Sequence, residues 1–202
     1  MDWLDNINNA IAQMTWVEVV AVITGIIYVI LAARENVWCW IFGIISSALS
    51  VYAMYFLFDL YIDAALYGYY VIIGFYGWYQ WLHGSQGESE LSISIWTTQQ
   101  HLITIGGGLV ISFIVGYFFA TYTAAAATYI DAFTTVFSII ATVMVTRKIL
   151  ENWLYWIVID VVYVYLYSSR GGYLFAVLMV IYTVIAVVGY YNWRKEWKLK
   201  VI

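Results

Sequence analysis

Seven long apolar segments dominate the sequence, separated by short polar stretches. Each is about as long as the roughly 20 residues that an α-helix needs to cross the hydrocarbon core of a bilayer. We therefore predict an all-α integral membrane protein with seven transmembrane helices. The predicted limits of the segments are residues 16–33, 36–58, 60–82, 97–120, 126–146, 149–167 and 172–193.

The composition excludes a water-soluble protein of this size. Only 10% of the 202 residues are charged and 65% are hydrophobic, whereas a soluble domain is about one quarter charged. Before the first apolar segment, Trp3, Ile7 and Ile11 recur at helical spacing among polar residues, which predicts a short surface helix within residues 1–15. After the last segment, residues 194–202 are predicted to form a cytoplasmic tail.

The basic residues predict how the helices are oriented. With seven helices, seven of the eight Lys and Arg residues fall on one side of the membrane, and only Arg170 falls on the other. Cytoplasmic loops are enriched in Lys and Arg. This predicts an N-terminus outside and a C-terminus inside the cell.

The first three apolar segments resemble the last three, with the same features in the same order. The offset between matching residues changes only between elements, which is not expected of chance similarity. The aligned features are 16–18 with 129–131 and Arg34 with Arg147 at an offset of 113, Asn36 with Asn152 and Trp40 with Trp156 at 116, and 77–81 with 189–193 at 112.

The two copies are predicted to cross the membrane in the same direction, because segments 1 and 5 are separated by an even number of spans. This is a 3+1+3 parallel repeat. The copies are three-helix bundles at 16–82 and 126–193, joined by a linking helix at 97–120. Parallel repeats are a transporter design in which the substrate binds near the midplane, between the halves.

One acidic residue falls at mid-depth. Asp160 lies about 11 residues into its segment, which is roughly half of a ~30 Å core. A carboxylate there costs at least ~2.5–3.5 kcal/mol. Asn152, Trp156 and Tyr163 share its helix face. This stripe is either the wall of a binding site or a structural hydrogen-bond network.

Other candidate substrate residues follow from the same pattern. Tyr67 and Tyr70 lie in the third segment, and Trp40 belongs to the first copy's stripe, which has no acid. Aromatic rings beside a carboxylate suit an organic cation. Three further acids are predicted at the outer ends of inward-running helices, where they either attract cations or are ordinary interfacial charges. They are Glu18, Asp63 and Asp131.

Several classes of function are excluded by what the sequence lacks. It has no phosphate-binding loop for ATP, and its single cysteine excludes a cysteine-based metal site. We expect no enzymatic activity, cofactor, metal or nucleic-acid partner. The alternative from another class is a seven-helix receptor that transports nothing.

Two further expectations concern the helices and the membrane surface. Because the chain has no proline, a helix break requires a glycine, a bound water or a π-bulge, and Gly43, Gly74 and Gly116 are the predicted weak points. Part of the tryptophan is predicted to lie in belts at the membrane surface. These belt residues are Trp81, Trp96, Trp193 and Trp197.

Three runs resemble the PnuC family of bacterial vitamin transporters, namely 16–18, 75–81 and 146–156. The resemblance covers nearly the whole chain. It implies a seven-helix fold similar to the SWEET proteins but longer, in a bacterial inner membrane, working by facilitated diffusion. It also implies a trimeric assembly and an intracellular kinase that traps the substrate.

The resemblance also bears on the substrate. It implies that carriers of nicotinamide riboside have a Gln where Tyr67 stands, an Asn where Asp160 stands and another Asn near Val188. This sequence departs at all three positions, whereas a phenol and a carboxylate suit the cation thiamine, the substrate of the PnuT branch. Thiamine is therefore the predicted substrate, with nicotinamide riboside or riboflavin as alternatives.

Overall fold

The computed structural model describes residues 3–59, 61–84, 91–122 and 128–201, and this part of the chain is almost entirely helical. A π-helical turn, Ala53–Leu57, continues the third helix. The α-helices are α1 (Trp3–Gln13), α2 (Trp16–Ala33), α3 (Cys39–Tyr52), α4 (Tyr61–His83), α5 (Thr98–Tyr122), α6 (Thr128–Thr146), α7 (Asn152–Ser169) and α8 (Tyr173–Val201).

Five of these helices are long and apolar enough to cross a membrane: α2, α3 with its π-turn, α5, α6 and α8. The two other long helices, α4 and α7, are rich in tyrosine, whose hydroxyl lowers their hydropathy. The predicted helix starts agree with the structure to within three residues. Helix α8 continues through residues 194–201, most of the segment predicted as a cytoplasmic tail.

Helix α2 begins with a reciprocal cap that fixes where the first apolar segment becomes helical. The Thr15 hydroxyl accepts a hydrogen bond from the Glu18 backbone N–H at 3.3 Å. The Glu18 carboxylate in turn accepts from the Thr15 backbone N–H at 2.8 Å. This is a capping box, so the Glu18 carboxylate serves the helix terminus.

Helices α2–α4, called here the first half, contact helices α6–α8, the second half, at the end of the molecule that carries Arg34 and Arg147. We call this the basic end. The Trp81 indole N–H of α4 donates to the Val145 carbonyl of α6 at 3.0 Å. The Trp193 indole of α8 donates to the Ala32 carbonyl of α2 at 3.0 Å.

The two indole contacts correct the prediction that Trp81 and Trp193 lie in a surface belt. Both side chains are buried. Each half gives one indole donor to the last turn of a helix in the other half, and the acceptors Ala32 and Val145 match each other at an offset of 113. The two rings lie 5.9 Å apart between their centroids. The exchange therefore ties the halves together at the basic end.

Each of these indoles meets a second tryptophan edge-on in its own half. Trp40 lies 5.4 Å from Trp81 at an interplanar angle of 88°. Trp153 lies 5.4 Å from Trp193 at 89°. By these contacts Trp153 matches Trp40 at an offset of 113, so the alignment of Trp40 with Trp156 at 116 is wrong.

Glycines make room for these indoles. A Cβ atom at Gly77 would fall on the Trp40 ring, and one at Gly189 would lie 2.8–2.9 Å from the Trp153 ring. These distances are too short for a real side chain. Glycine at both positions therefore lets α4 and α8 pack directly against the tryptophan of the neighbouring helix.

The turns after α2 and α6 also match each other. Glu35 and Lys148, which match at the same offset as the indole acceptors, both have positive φ, 55° and 47°. Their side chains meet across the halves, with Lys148 Nζ 3.4 Å from Glu35 Oε2. Only 5% of the Lys148 side chain and 17% of the Glu35 side chain are exposed. The basic end therefore holds a largely buried ion pair.

The segment before α5 adds a further link at the basic end. The Ser94 N–H donates to the Lys148 carbonyl at 3.0 Å, and the Leu150 N–H donates to the Ser94 carbonyl at 2.8 Å. The Trp96 N–H donates to the Glu151 carboxylate at 3.1 Å. Ile93 is buried against the tryptophans. The described part of the connection before α5, residues 91–97, is thus fixed to the second half.

The glycines predicted as weak points are instead sites of close packing within continuous helices. A Cβ at Gly43 would lie 2.9 Å from Tyr28, and one at Gly74 would lie 2.7 Å from Ile44. A Cβ at Gly116 would lie 2.6 Å from Tyr129. Among the described helices, the irregular turn is the π-helical one at Ala53–Leu57.

Candidate substrate site

Asp160 lies in the middle of α7, and its side chain is buried, with 4% of the residue exposed. Within the described ranges, its carboxylate forms no hydrogen bond and no ion pair. A buried charge without a partner is costly. This carboxylate is therefore the group in the described part of the chain that most needs a bound ligand.

Tyr182 of α8 is the phenol within electrostatic reach of Asp160. Its hydroxyl crosses to the first half, where a Cβ built on Gly25 would lie 2.9 Å from it and 3.1 Å from the Ser46 hydroxyl. The sequence pattern does not single out Tyr182, because the residues around it in α8 are mostly apolar. The signal was its offset of 112 from Tyr70, the spacing that relates 77–81 to 189–193.

Three predicted tyrosines, Tyr67, Tyr70 and Tyr163, come together between α4, α6 and α7. The Tyr67 and Tyr70 rings meet edge-on, with centroids 6.0 Å apart. The Ser138 hydroxyl of α6 is within hydrogen-bonding reach of both Tyr70 and Tyr163. Tyr67 also lies within electrostatic reach of Tyr163 and Tyr182. A continuous group of phenols therefore extends from Asp160 across to α4.

The other predicted residues lie nearer the basic end. Trp156, one turn before Asp160, packs against two groups of residues. One is the tryptophan cluster at the basic end, formed around Trp40, Trp81, Trp153 and Trp193, and the other is the apolar cluster of α6 and α7. Trp40 belongs to the tryptophan cluster, with contacts to Tyr28 and Trp81, so the described contacts do not join it to Asp160. Asn152 is fully buried and donates to the Ile149 carbonyl at 2.7 Å.

The opposite end of the molecule carries Asp63 and Asp131, and we call it the acidic end. The structure brings these two residues within electrostatic reach of each other. Asp131 also pairs with Arg170, with Arg170 Nη2 3.3 Å from Asp131 Oδ2. Glu18 is engaged in its helix cap. The predicted acidic mouth therefore consists of two acids and a basic residue, with the third acid used locally.

The arrangement is suited to binding. A buried carboxylate offers a counter-charge and hydrogen-bond acceptors to a ligand, and the phenols nearby offer ring faces and hydroxyls. An organic cation with hydroxyl or amino groups satisfies both. Since Asp160 is buried, a ligand that reaches it requires side chains or helices around it to move.

Comparison with known proteins identifies relatives over nearly the full length. The family model described as the nicotinamide mononucleotide transporter matches residues 15–195. The nicotinamide riboside transporter PnuC of Escherichia coli is 30% identical, over 90% of this chain and 86% of that protein. The riboflavin/roseoflavin transporter RibM of Streptomyces davaonensis is 25% identical, over 96% of this chain and 92% of that protein.

The fold has a solved counterpart as well. The crystal structure of the vitamin B3 transporter PnuC superposes with a TM-score of 0.75 at 26% identity, over 98% of this chain and 90% of that chain. These relatives are transporters rather than enzymes. The chain therefore belongs to the nicotinamide mononucleotide transporter family, the family of PnuC.

Proposed function

We propose that this chain is a facilitator of vitamin uptake whose substrate is a small organic cation, with nicotinamide riboside as the first candidate. The observation that carries the proposal is Asp160, which is buried and without a protein partner in the described part of the chain. A cationic ligand would supply the missing charge. The phenols of Tyr67, Tyr70 and Tyr163 would contact its ring and hydroxyls.

The relatives favour nicotinamide riboside over the thiamine predicted from sequence. PnuC of Escherichia coli and PnuC of Neisseria mucosa are both named for nicotinamide riboside, the second at 28% identity over 90% of this chain. The pyridinium ring of nicotinamide riboside carries a fixed positive charge, as does the thiazolium ring of thiamine. Asp160 suits both, and thiamine remains the second candidate. Riboflavin is neutral and would gain hydrogen bonds without charge pairing.

The contacts between the halves support a mechanism of alternating access in a 3+1+3 parallel repeat of seven transmembrane helices. The crossed indole bonds and the Glu35–Lys148 pair join the halves at the basic end. With the N-terminus outside and the C-terminus inside the cell, this end is cytoplasmic, so the described state is closed toward the cytoplasm. Opening inward requires these contacts to separate.

The family resemblance extends the proposal beyond the single chain. A facilitator accumulates substrate only when another reaction consumes it, which an intracellular kinase would do. A trimer in a bacterial inner membrane is the proposed assembly.

Uptake into proteoliposomes tests the proposal. Radiolabelled nicotinamide riboside, thiamine and riboflavin are compared at equal concentration, and saturable uptake of nicotinamide riboside is expected. Asp160→Asn removes the counter-charge without changing the shape and introduces the residue that the family resemblance implies for nicotinamide riboside carriers. Because this chain has Tyr67 and Val188 where such carriers have further amides, the single Asn should not compensate. The KM for the cations should rise at least tenfold and that for riboflavin much less. Glu196→Gln, an exposed carboxylate near the C-terminus, is the matched control.

Three outcomes would contradict the proposal. Preferred uptake of riboflavin would make the cationic substrate wrong. An unchanged KM in Asp160→Asn would remove Asp160 from the site. Equal vitamin levels in protein-loaded and empty vesicles at all times would favour a receptor that transports nothing.

A further inference from the structure

Tyr70 and Tyr182 occupy matching places in the two halves. They match at an offset of 112, and each hydroxyl crosses to the first helix of the opposite half. Tyr70 of α4 reaches Ser138 of α6. Tyr182 of α8 reaches Gly25 of α2. Ser138 and Gly25 themselves match at an offset of 113, so the exchange is reciprocal, as it is for the indoles at the basic end.

The two phenols differ in what they meet. Ser138, which lies near Tyr70, is buried and has a side-chain hydroxyl. Gly25 has no side chain, and the nearby Ser46 hydroxyl already donates to the Ala21 carbonyl at 2.8 Å. In the described part of the chain neither phenol hydroxyl forms a hydrogen bond, so the two differ in whether a protein hydroxyl is at hand.

The two phenols also differ in their acidic neighbours. Tyr182 lies within electrostatic reach of Asp160. The residue that matches Asp160 in the first half, at the offset of 113, is Ser47. The phenol that has no hydroxyl-bearing residue facing it and the carboxylate that has no protein partner therefore belong to the same half and lie near each other. The buried Asp160 and the half-buried Tyr182 point to a ligand that satisfies both.

We propose that Tyr182 is a substrate-contacting residue that determines specificity together with Asp160, and that Gly25 is the positioning residue that leaves the Tyr182 hydroxyl available. This inference rests on the proposed function of the Asp160 site. Asp160 pairs with the cationic ring of the vitamin, and the Tyr182 hydroxyl hydrogen-bonds a polar group on the same molecule. A vitamin with hydroxyl or carboxamide groups beside its cationic ring satisfies this pair.

Gly25 is essential to this arrangement because of the space it leaves. A methyl group there would lie 2.9 Å from the Tyr182 hydroxyl. The phenol end of Tyr182 would have to move away from its place beside α2. The Ser46 hydroxyl, at 3.1 Å from the same methyl group, would have to give way slightly, and the effect of Gly25→Ala on the substrate is expected to act through Tyr182.

The test is a double-mutant cycle with nicotinamide riboside as the transported probe. Tyr182→Phe removes one hydrogen bond to the ligand, so its KM should rise about 3- to 10-fold while the maximal rate stays close to that of the wild type. Gly25→Ala should raise KM similarly. In the Tyr182→Phe background, Gly25→Ala should add little, because the displaced hydroxyl is already absent.

Matched controls separate this role from general effects on the helices. Tyr191→Phe removes an exposed phenol from the same helix, and Gly107→Ala adds a methyl group where nothing lies within 4 Å. Both should leave KM unchanged.

The inference and the proposed function fail in different ways. No saturable uptake by the wild type contradicts the proposed function. Normal wild-type uptake, with Tyr182→Phe indistinguishable from Tyr191→Phe, contradicts the inference alone. Additive effects of Gly25→Ala and Tyr182→Phe would show that Gly25 acts by another route.

Discussion

The basic and acidic ends of the molecule are held together in different ways. At the basic end, buried contacts join the first half to the second, through two crossed indole hydrogen bonds and the Glu35–Lys148 pair. At the acidic end, the ion pair between Asp131 and Arg170 lies within the second half, and both side chains are more than 40% exposed. Among the described residues, the side-chain hydrogen bonds and the ion pair that join the two halves therefore lie at the basic end.

This difference bears on which contacts can control transport. An exposed ion pair contributes little to stability, so the acidic end can separate at small cost. The contacts at the basic end are buried and reciprocal, and separating the halves there leaves the two indole N–H groups and the Glu35–Lys148 charges without their partners. The free energy that holds the two halves together at the basic end is thus concentrated in a few named residues, and substitutions at the two ends should have effects of different size.

The largest effect is expected at the buried ion pair. Lys148→Met leaves the Glu35 carboxylate without its cation, and losing one partner of a buried pair costs about 3–5 kcal/mol. Asp131→Asn, the matched change at the acidic end, should cost less than about 1 kcal/mol. Thermal unfolding in detergent measures both. Similar melting temperatures for the two variants would contradict the contrast between the ends.

The next effect concerns two glycines of α4. Gly77→Ala would place a methyl group on the Trp40 ring, and overpacking of this kind costs about 1–3 kcal/mol. Gly68→Ala lies nearer the acidic end, where nothing is within 4 Å, and alanine there should stabilise the helix by up to about 1 kcal/mol. Opposite shifts of the melting temperature are therefore expected. Equal shifts would mean that the tryptophan packing is adaptable.

A smaller effect should appear as opening of the basic end. Trp193→Phe removes the indole hydrogen bond to the Ala32 carbonyl, which keeps the Glu35 backbone N–H as a donor at 3.0 Å, at a cost of about 0.5–1.5 kcal/mol. Cys39, the single cysteine, is buried among these tryptophans, so its labelling by a maleimide reports separation of the halves. The labelling rate should rise by up to about tenfold. Trp38→Phe, which changes an exposed indole nearby, is the control and should leave the rate unchanged.

The helices could be predicted closely from sequence, because each long apolar run has the length and composition of a membrane-spanning helix. The end of α2 at Ala33 and the start of α4 near Tyr61 follow directly from polarity. The extension of α8 to Val201 could not be predicted from apolar character, because the last turns of the helix carry charged residues. Polarity marks where a helix leaves the membrane, which is not where it ends.

The candidate site could be predicted only in part. The sequence indicates Asp160 because an acid at mid-depth is unusual, and it indicates Tyr70 because polar residues share its helix face. Trp40 was misaligned with Trp156, because sequence matching favours identical neighbours whereas packing pairs Trp40 with Trp153. Tyr182 was missed because its significance depends on Gly25, a residue that matters through the side chain it lacks.

The crossed indoles have a consequence for the history of the proposed repeat. Two like units that each donate to the other form the isologous contact of a two-fold dimer. A three-helix ancestor could therefore have supplied hydrogen-bond acceptors for its indole N–H groups by pairing with a second copy of itself. Such a homodimer would have carried the same residue on both sides of its axis. An acid at residue 160 with Ser47 at the matching position of the other unit would become possible only once both units were encoded in one gene, so a fusion would have allowed the proposed vitamin, which is asymmetric, to have an asymmetric site.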